Sequence, residues 1–111
     1  MDWIEISEID SIENIKAKSF SKPQVIFKHS TRCSISSVAK NRLEKTPTLP
    51  DADFYYLDLI KHKNISNSIA EVFQVHHESP QVLLIKNGEC TYDESHYAID
   101  MNEIIEQSQA I

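Results

Sequence analysis

A single glycine occurs in the 111 residues, and it stands directly after Asn87, between two runs of strand-forming residues. Asn-Gly is the favoured centre of a two-residue type I′ hairpin, because both central positions require positive φ. Val82-Leu83-Leu84-Ile85 leads into this turn and Glu89 to Asp93 leads out of it. A tight turn fixes the register, with Lys86 opposite Glu89, Ile85 opposite Cys90 and Asp93 opposite Val82. The chain therefore carries an antiparallel pair toward its C-terminal end, and the rest of the sequence must supply the sheet to which that pair is added.

Upstream, Trp3-Ile4-Glu5-Ile6 alternates as a short strand does, and Ile9, Ile12 and Ile15 follow at helical spacing, with Ser7 or Ser11 available as N-cap. Lys22-Pro23 breaks that helix ahead of Val25-Ile26-Phe27, a continuous apolar run suited to a buried strand. From Cys33 onward the pattern is helical again. Ile35, Val38, Ala39 and Leu43 form an apolar stripe, Lys40, Arg42 and Lys45 gather toward the negative end of the dipole, and Thr46-Pro47-Thr48-Leu49-Pro50 ends it. Phe54 to Leu59 reads as an aromatic strand. Asn64 or Ser66 then caps a helix that buries Ile65, Ile69, Val72 and Phe73, and His76-His77-Glu78-Ser79-Pro80 is a polar loop. Asp100 and Glu103 form a capping-box pair ahead of Ile104 and Ile105, which gives a last short helix.

The predicted order is β-α-β-α-β-α-β-β-α over a single domain, residues 1–111. Strands joined through helices favour parallel pairing. With the terminal hairpin added, this is the α/β order of a thioredoxin-like fold, a mixed central sheet flanked by helices.

Charge narrows the function classes. Eleven Lys and Arg stand against 17 Asp and Glu, for a formal charge of -6 and a pI near 5.3. That excess argues against nonspecific binding to nucleic acid or to an anionic membrane. The longest aliphatic run, Val82 to Ile85, is too short to span a bilayer, and Met1 to Asp10 has no basic segment of the signal-peptide kind. A cytoplasmic protein is the expectation. Two cysteines do not make a disulfide scaffold.

Cys33 is placed where a buried strand hands over to a helix, so unpaired backbone N–H groups and the helix dipole favour a thiolate there. Arg32 adds a fixed positive charge and His29 a partial one. A buried, inert cysteine would have apolar neighbours, whereas Cys33 is flanked by Ser30, Thr31, Arg32, Ser34 and Ser36. A thiolate is the nucleophile of thiol–disulfide exchange. In Cys33-Ser34-Ile35-Ser36 a serine stands where a resolving thiol would be. Cys90 is the other candidate, but if Cys33 lies near Pro80, the hairpin register puts Cys90 about 16 Å away along the sheet, at ~3.3 Å per residue. Disulfide geometry needs Cα atoms within about 7 Å, so Cys33 is expected to act alone. The same register brings Ser95 and His96 beside Pro80, which makes His96 a candidate to favour the thiolate or to bind acidic groups of a thiol substrate. His76 and His77 precede Pro80 and are weaker candidates.

The segment Phe27-Lys28-His29-Ser30-Thr31-Arg32-Cys33-Ser34-Ile35-Ser36, together with Ser79-Pro80 and Ser95-His96-Tyr97, resembles the monothiol bacilliredoxins of the YtxJ general-stress type. The likeness runs from Trp3 to the last helix, and its Thr-x-Cys-x-Ile-Ser core is fairly specific. It implies a thioredoxin-fold oxidoreductase that removes bacillithiol, a low-molecular-weight thiol, from mixed disulfides on client proteins. It implies further that Cys33 attacks, that Pro80 is a cis-proline presenting the backbone of Ser79, and that Thr31, Arg32, Ser36, Ser79, Pro80, Ser95 and His96 bind the thiol substrate. Bacillithiol is then a co-substrate, with no resident cofactor and no metal. The partners are bacillithiolated clients and a small thiol, and the protein is a monomer or weak dimer. Ser34 departs from the proline common in that family. Phe27, six residues before Cys33, departs from the buried Asp of ordinary thioredoxins.

Two other classes share parts of this pattern. An iron-sulfur carrier of the monothiol glutaredoxin kind would use one Cys33 from each of two chains, but the Cys-Gly-Phe-Ser signature of that kind is absent. A non-catalytic stress adaptor would dock clients through Phe54 to Tyr56, although packing within a sheet accounts for these aromatics. His29, Cys33, His76, His77 and His96 show no recognised zinc-ligand spacing.

Overall fold

In the computed structural model, which describes residues 1–46 and 50–110, the elements follow in the expected order. They are β1 (Ile4–Glu5), α1 (Ser11–Lys18), β2 (Gln24–His29), α2 (Ser34–Lys45), β3 (Asp53–Asp58), α3 (Lys63–Phe73), β4 (Gln81–Lys86), β5 (Glu89–Ser95) and α4 (Met101–Gln109). A 3₁₀ turn, His96–Ala98, which the periodicity does not announce, links β5 to α4. The Pro47-Thr48-Leu49 part of the expected helix stop lies outside the described residues.

The five strands form one sheet in the order β1-β3-β2-β4-β5. β1, β3 and β2 run parallel, and β4 and β5 are antiparallel to their neighbours. The uninterrupted apolar strands occupy the middle because only there are both faces covered. On one face α1 and α3 press Ile12, Ile15, Ile65, Ile69 and Phe73 onto Ile26, Leu57, Leu83 and Ile85. On the other, Ala39 and Leu43 of α2 and Ile104 of α4 cover Val25, Phe27, Val82 and Leu84. Among the described residues no helix is long and apolar enough to cross a membrane.

The Asn-Gly turn forms as expected, with φ of 53° at Asn87 and 81° at Gly88. Its tip is tied to the end of α1, where Asn87 N donates to Ser19 O at 3.0 Å and Gly88 N donates to Ser19 Oγ at 2.8 Å. The Phe20 ring lies over Gly88 and leaves 2.8 Å for any Cβ.

Several local expectations need correction. The hairpin register holds for Lys86–Glu89 and Ile85–Cys90, but Leu84 then pairs with Tyr92, so Thr91 is an extra residue in a bulge. Glu94, not Asp93, is therefore opposite Val82, and Ser95 is opposite Gln81. No capping box forms: Asp100 is the N-cap of α4 without a side-chain hydrogen bond, and Glu103 Oε1 instead accepts from Gln107 Nε2 one turn on, at 2.9 Å. Asp10, not Ser7 or Ser11, precedes α1, which leaves Ile9 outside the helix and exposed. His62 caps α3 in place of Asn64 or Ser66, and Val72 is exposed. In α2 the inward sector is Ser36, Ala39 and Leu43, while Val38 faces outward at 47% exposure.

Candidate active site

β2 and β4 are antiparallel neighbours with Lys28 opposite Gln81, so the end of β2 and the start of β4 lie at the same edge of the sheet. Cys33 follows β2 after Ser30-Thr31-Arg32, and Pro80 immediately precedes β4. The loop after β2 closes as a turn in which Cys33 N donates to Ser30 O at 3.2 Å. Cys33 is the N-cap of α2, extended at φ -111° and ψ 120°, and its carbonyl accepts the first helical bond from Ser37 N at 3.2 Å. Cys33 is free and, as a residue, half-buried. It stands at the end of a 12-residue helix whose first N–H groups have no partner within the helix.

The loop that carries Cys33 is anchored from beneath. His29, at the end of β2, points to the α2 side, where its Nδ1 lies 2.6 Å from Ser36 Oγ. The same hydroxyl accepts Ser30 N at 3.0 Å. One buried oxygen thus joins the strand end, the loop and the first turn of the helix. The imidazole packs against Phe27 and Tyr56, with centroids 5.7 and 5.4 Å away. Burial first, and the nearby Lys40 ammonium second, hold it below its usual range. Ser36, expected in the thiol's seat, is fully buried with its hydroxyl committed to His29 and Ser30. It braces the site from inside and does not line it. Thr31 and Arg32 are exposed on the loop.

On the opposite side of the edge, the Ser79–Pro80 peptide is cis. Pro80 is buried, and the Ser79 hydroxyl is buried without a hydrogen-bond partner among the described residues. His96 follows β5 with φ 58°, and its N–H donates to Pro80 O at 3.0 Å. Its Nε2 lies 3.6 Å from Glu78 Oε2, and His76 Nε2 lies 3.9 Å from Glu78 Oε1. Ser95 sits opposite Gln81, half-buried. Pro80, Ser95 and His96 are therefore brought together.

Cys90 is on the fifth strand opposite Ile85, toward the hairpin tip and away from the edge that holds Cys33. It is free, its sulfur donates to Tyr92 O, and burial, with Asp93 second, pushes its thiol up to about 11. Among the described residues no group of three or more His, Cys, Asp or Glu is arranged to hold a metal ion.

One residue that bears on the site, Lys28, is not singled out by the sequence. Lys28 is fully buried, with Nζ 3.2 Å from Ser66 O and 3.3 Å from His77 Nδ1, and burial lowers its ammonium to about 8. His77, expected to be a minor candidate, receives this contact together with Ser66 Oγ at 3.3 Å. The available signal is alternation: Lys28 shares a strand face with Ile26, which is in the core.

The architecture is that of thioredoxins. The Malassezia sympodialis thioredoxin superimposes with a TM-score of 0.75 at 21% identity, covering 98% of this chain and 92% of that one. Thioredoxin f of spinach chloroplasts gives 0.71 at 16%, covering 96% and 92%. These two share the fold. A protein described as a candidate oxidoreductase with a thioredoxin fold is 30% identical with a TM-score of 0.80, covering 96% of this chain and 93% of its own. Within that class, residues 4–104 match the monothiol bacilliredoxin BrxC family. The chain belongs to that family, and fold and family together give it a thiol redox role.

Proposed function

We propose that this protein is a monothiol oxidoreductase that removes bacillithiol from client proteins, with Cys33 as its nucleophile. The observation that carries this is a free, half-buried cysteine at the start of a long helix, with a fully buried serine three residues on and the second cysteine far along the sheet. The Cys33 thiolate attacks the bacillithiol sulfur of the mixed disulfide. A Cys33–bacillithiol disulfide forms, the client–bacillithiol bond breaks, and the client sulfur leaves as a thiolate that takes up a proton. A second small thiol then attacks the bacillithiol sulfur of the adduct and returns Cys33 as a thiolate. Each step exchanges one S–S bond for another, so no resident cofactor is needed.

In this mechanism Ser79 and Pro80 offer backbone to the incoming disulfide, while Thr31, Arg32, Ser95 and His96 border its path. The partners are bacillithiolated proteins and a low-molecular-weight thiol in a reducing cytoplasm. The test is loss of release of bacillithiol from a labelled client by C33S beside retention by C90A. Equal losses in both variants exclude a single-thiol mechanism.

A further inference from the structure

Lys28 is an exception to the way this core is built. Its side chain has 0% exposure, yet among the described residues no carboxylate forms an ion pair with it. Its partners are a helix carbonyl, Ser66 O, and the ring nitrogen of His77. A buried amine without a counter-charge weakens a fold, and what this one gains in return lies in its contacts. It touches the loop that leads into Pro80.

That loop is held at three consecutive residues by buried groups of the central strands. Gln81, fully buried and paired with Lys28 across the strands, donates from Nε2 to His76 O at 3.0 Å. Its Oε1 accepts Glu78 N at 3.4 Å. Lys28 Nζ takes the residue between them through His77 Nδ1. An ammonium has only donors, so Nδ1 is the acceptor and the His77 proton resides on Nε2. Beyond this anchor, Glu78 reaches His96, which in turn bonds Pro80 O. The Cys33 loop hangs on a different device, His29 and Ser36, on the opposite face of β2.

We propose that Lys28 is a positioning residue that, by holding His77, sets where Ser79 and Pro80 stand relative to Cys33. Two adjacent residues at the end of β2 then steady the two halves of the site from opposite faces of the sheet. The proposal rests on the exchange activity described above, and its test separates the two.

The variants are K28M and H77L in the full chain, with K28M/H77L as the coupling control. Three quantities are read: the ¹⁵N shifts of the His77 ring, hydrogen exchange of the Glu78 amide, and kinetics toward a bacillithiolated client beside alkylation of Cys33 by iodoacetamide. In K28M the Nδ1 resonance moves and Glu78 exchange accelerates by about tenfold, because local opening of the loop is easier. KM for the client rises by about tenfold, since misplacing a docking element lowers productive binding, whereas the alkylation rate of Cys33 stays within about twofold. H77L gives the same kinetics, and the double variant is no worse than either single one. Unchanged KM, or a fall in Cys33 alkylation matching the loss of exchange, overturns the positioning role. If the wild-type protein does not act on the client at all, the functional reading falls. The ring shifts and Glu78 exchange then decide the anchor alone, and unchanged values in K28M refute it.

Discussion

Replacing Lys28 by methionine should make the protein more stable at neutral pH. Burial lowers the Lys28 ammonium from 10.5 to about 8. Below pH 8 both folded and unfolded chains carry the proton, and the folded chain bears the full cost of burying it. At 1.36 kcal/mol per pH unit, that cost is about 3 kcal/mol. Between pH 8 and 10.5 the folded chain sheds the proton first, the unfolded state binds more protons, and stability rises with pH until the cost is gone. Methionine has similar length and no charge. Its introduction leaves Ser66 O inside α3 and leaves Ser66 Oγ beside His77 Nδ1. The lost hydrogen bonds offset part of the gain, at about 1 kcal/mol each. K28M should therefore exceed wild type by about 1–2 kcal/mol at pH 7. The gap should close and then reverse toward pH 10, where wild type has recovered most of the burial cost and still keeps its hydrogen bonds. Urea unfolding of both proteins at pH 7 and near pH 10 measures this directly. A less stable K28M at pH 7, or a gap of equal size at both pH values, refutes the reasoning.

The hairpin gives a second prediction: G88A should lose about 1–2 kcal/mol, the cost of a left-handed residue with a Cβ, because Phe20 is exposed and its ring can swing aside. A melting temperature equal to wild type would contradict it. Burial pushes the Cys90 thiol up to about 11, so iodoacetamide at pH 8 followed by peptide mapping should label Cys33 and spare Cys90. Equal labelling of both would count against this. S36A should cost about 2–3 kcal/mol, since it orphans both Ser30 N–H and the ring nitrogen of His29. His29 is held below its usual range, so the unfolded state binds more protons in acid and stability falls as pH drops below about 6.5. H29F should flatten that limb in urea titrations, and an unchanged limb would show that His29 is not its source.

Most of the fold is legible because its punctuation is local. Lys22-Pro23, the His76–Pro80 loop and Asn87-Gly88 separate apolar runs of different period, and the runs set which strands are central. What escapes is decided by competition between partners. The bulge at Thr91 carries no glycine or proline to mark it, so the tight-turn register runs one residue out beyond Cys90. Glu103 has two partners within reach, and hydropathy cannot rank Gln107 above the N-terminus of α4. In α2 the apolar pattern directs Val38 inward, but Ser36 must face the core to meet His29, and that turns the helix. Cys33 is legible from its polar flanks at a strand–helix junction. Lys28 is not, because a charge after Phe27 reads as the end of the buried strand, although alternation keeps it on the face of Ile26.

Intact mass spectrometry tests the central claim most directly. Reduced protein is mixed with a bacillithiolated client, with bacillithiol disulfide or with glutathione disulfide, and quenched at short times. A single bacillithiol adduct on Cys33, formed much faster than the glutathione adduct and accompanied by free client thiol, is the predicted result. No adduct on Cys33 at neutral pH, or an adduct carried equally by Cys90, would contradict it.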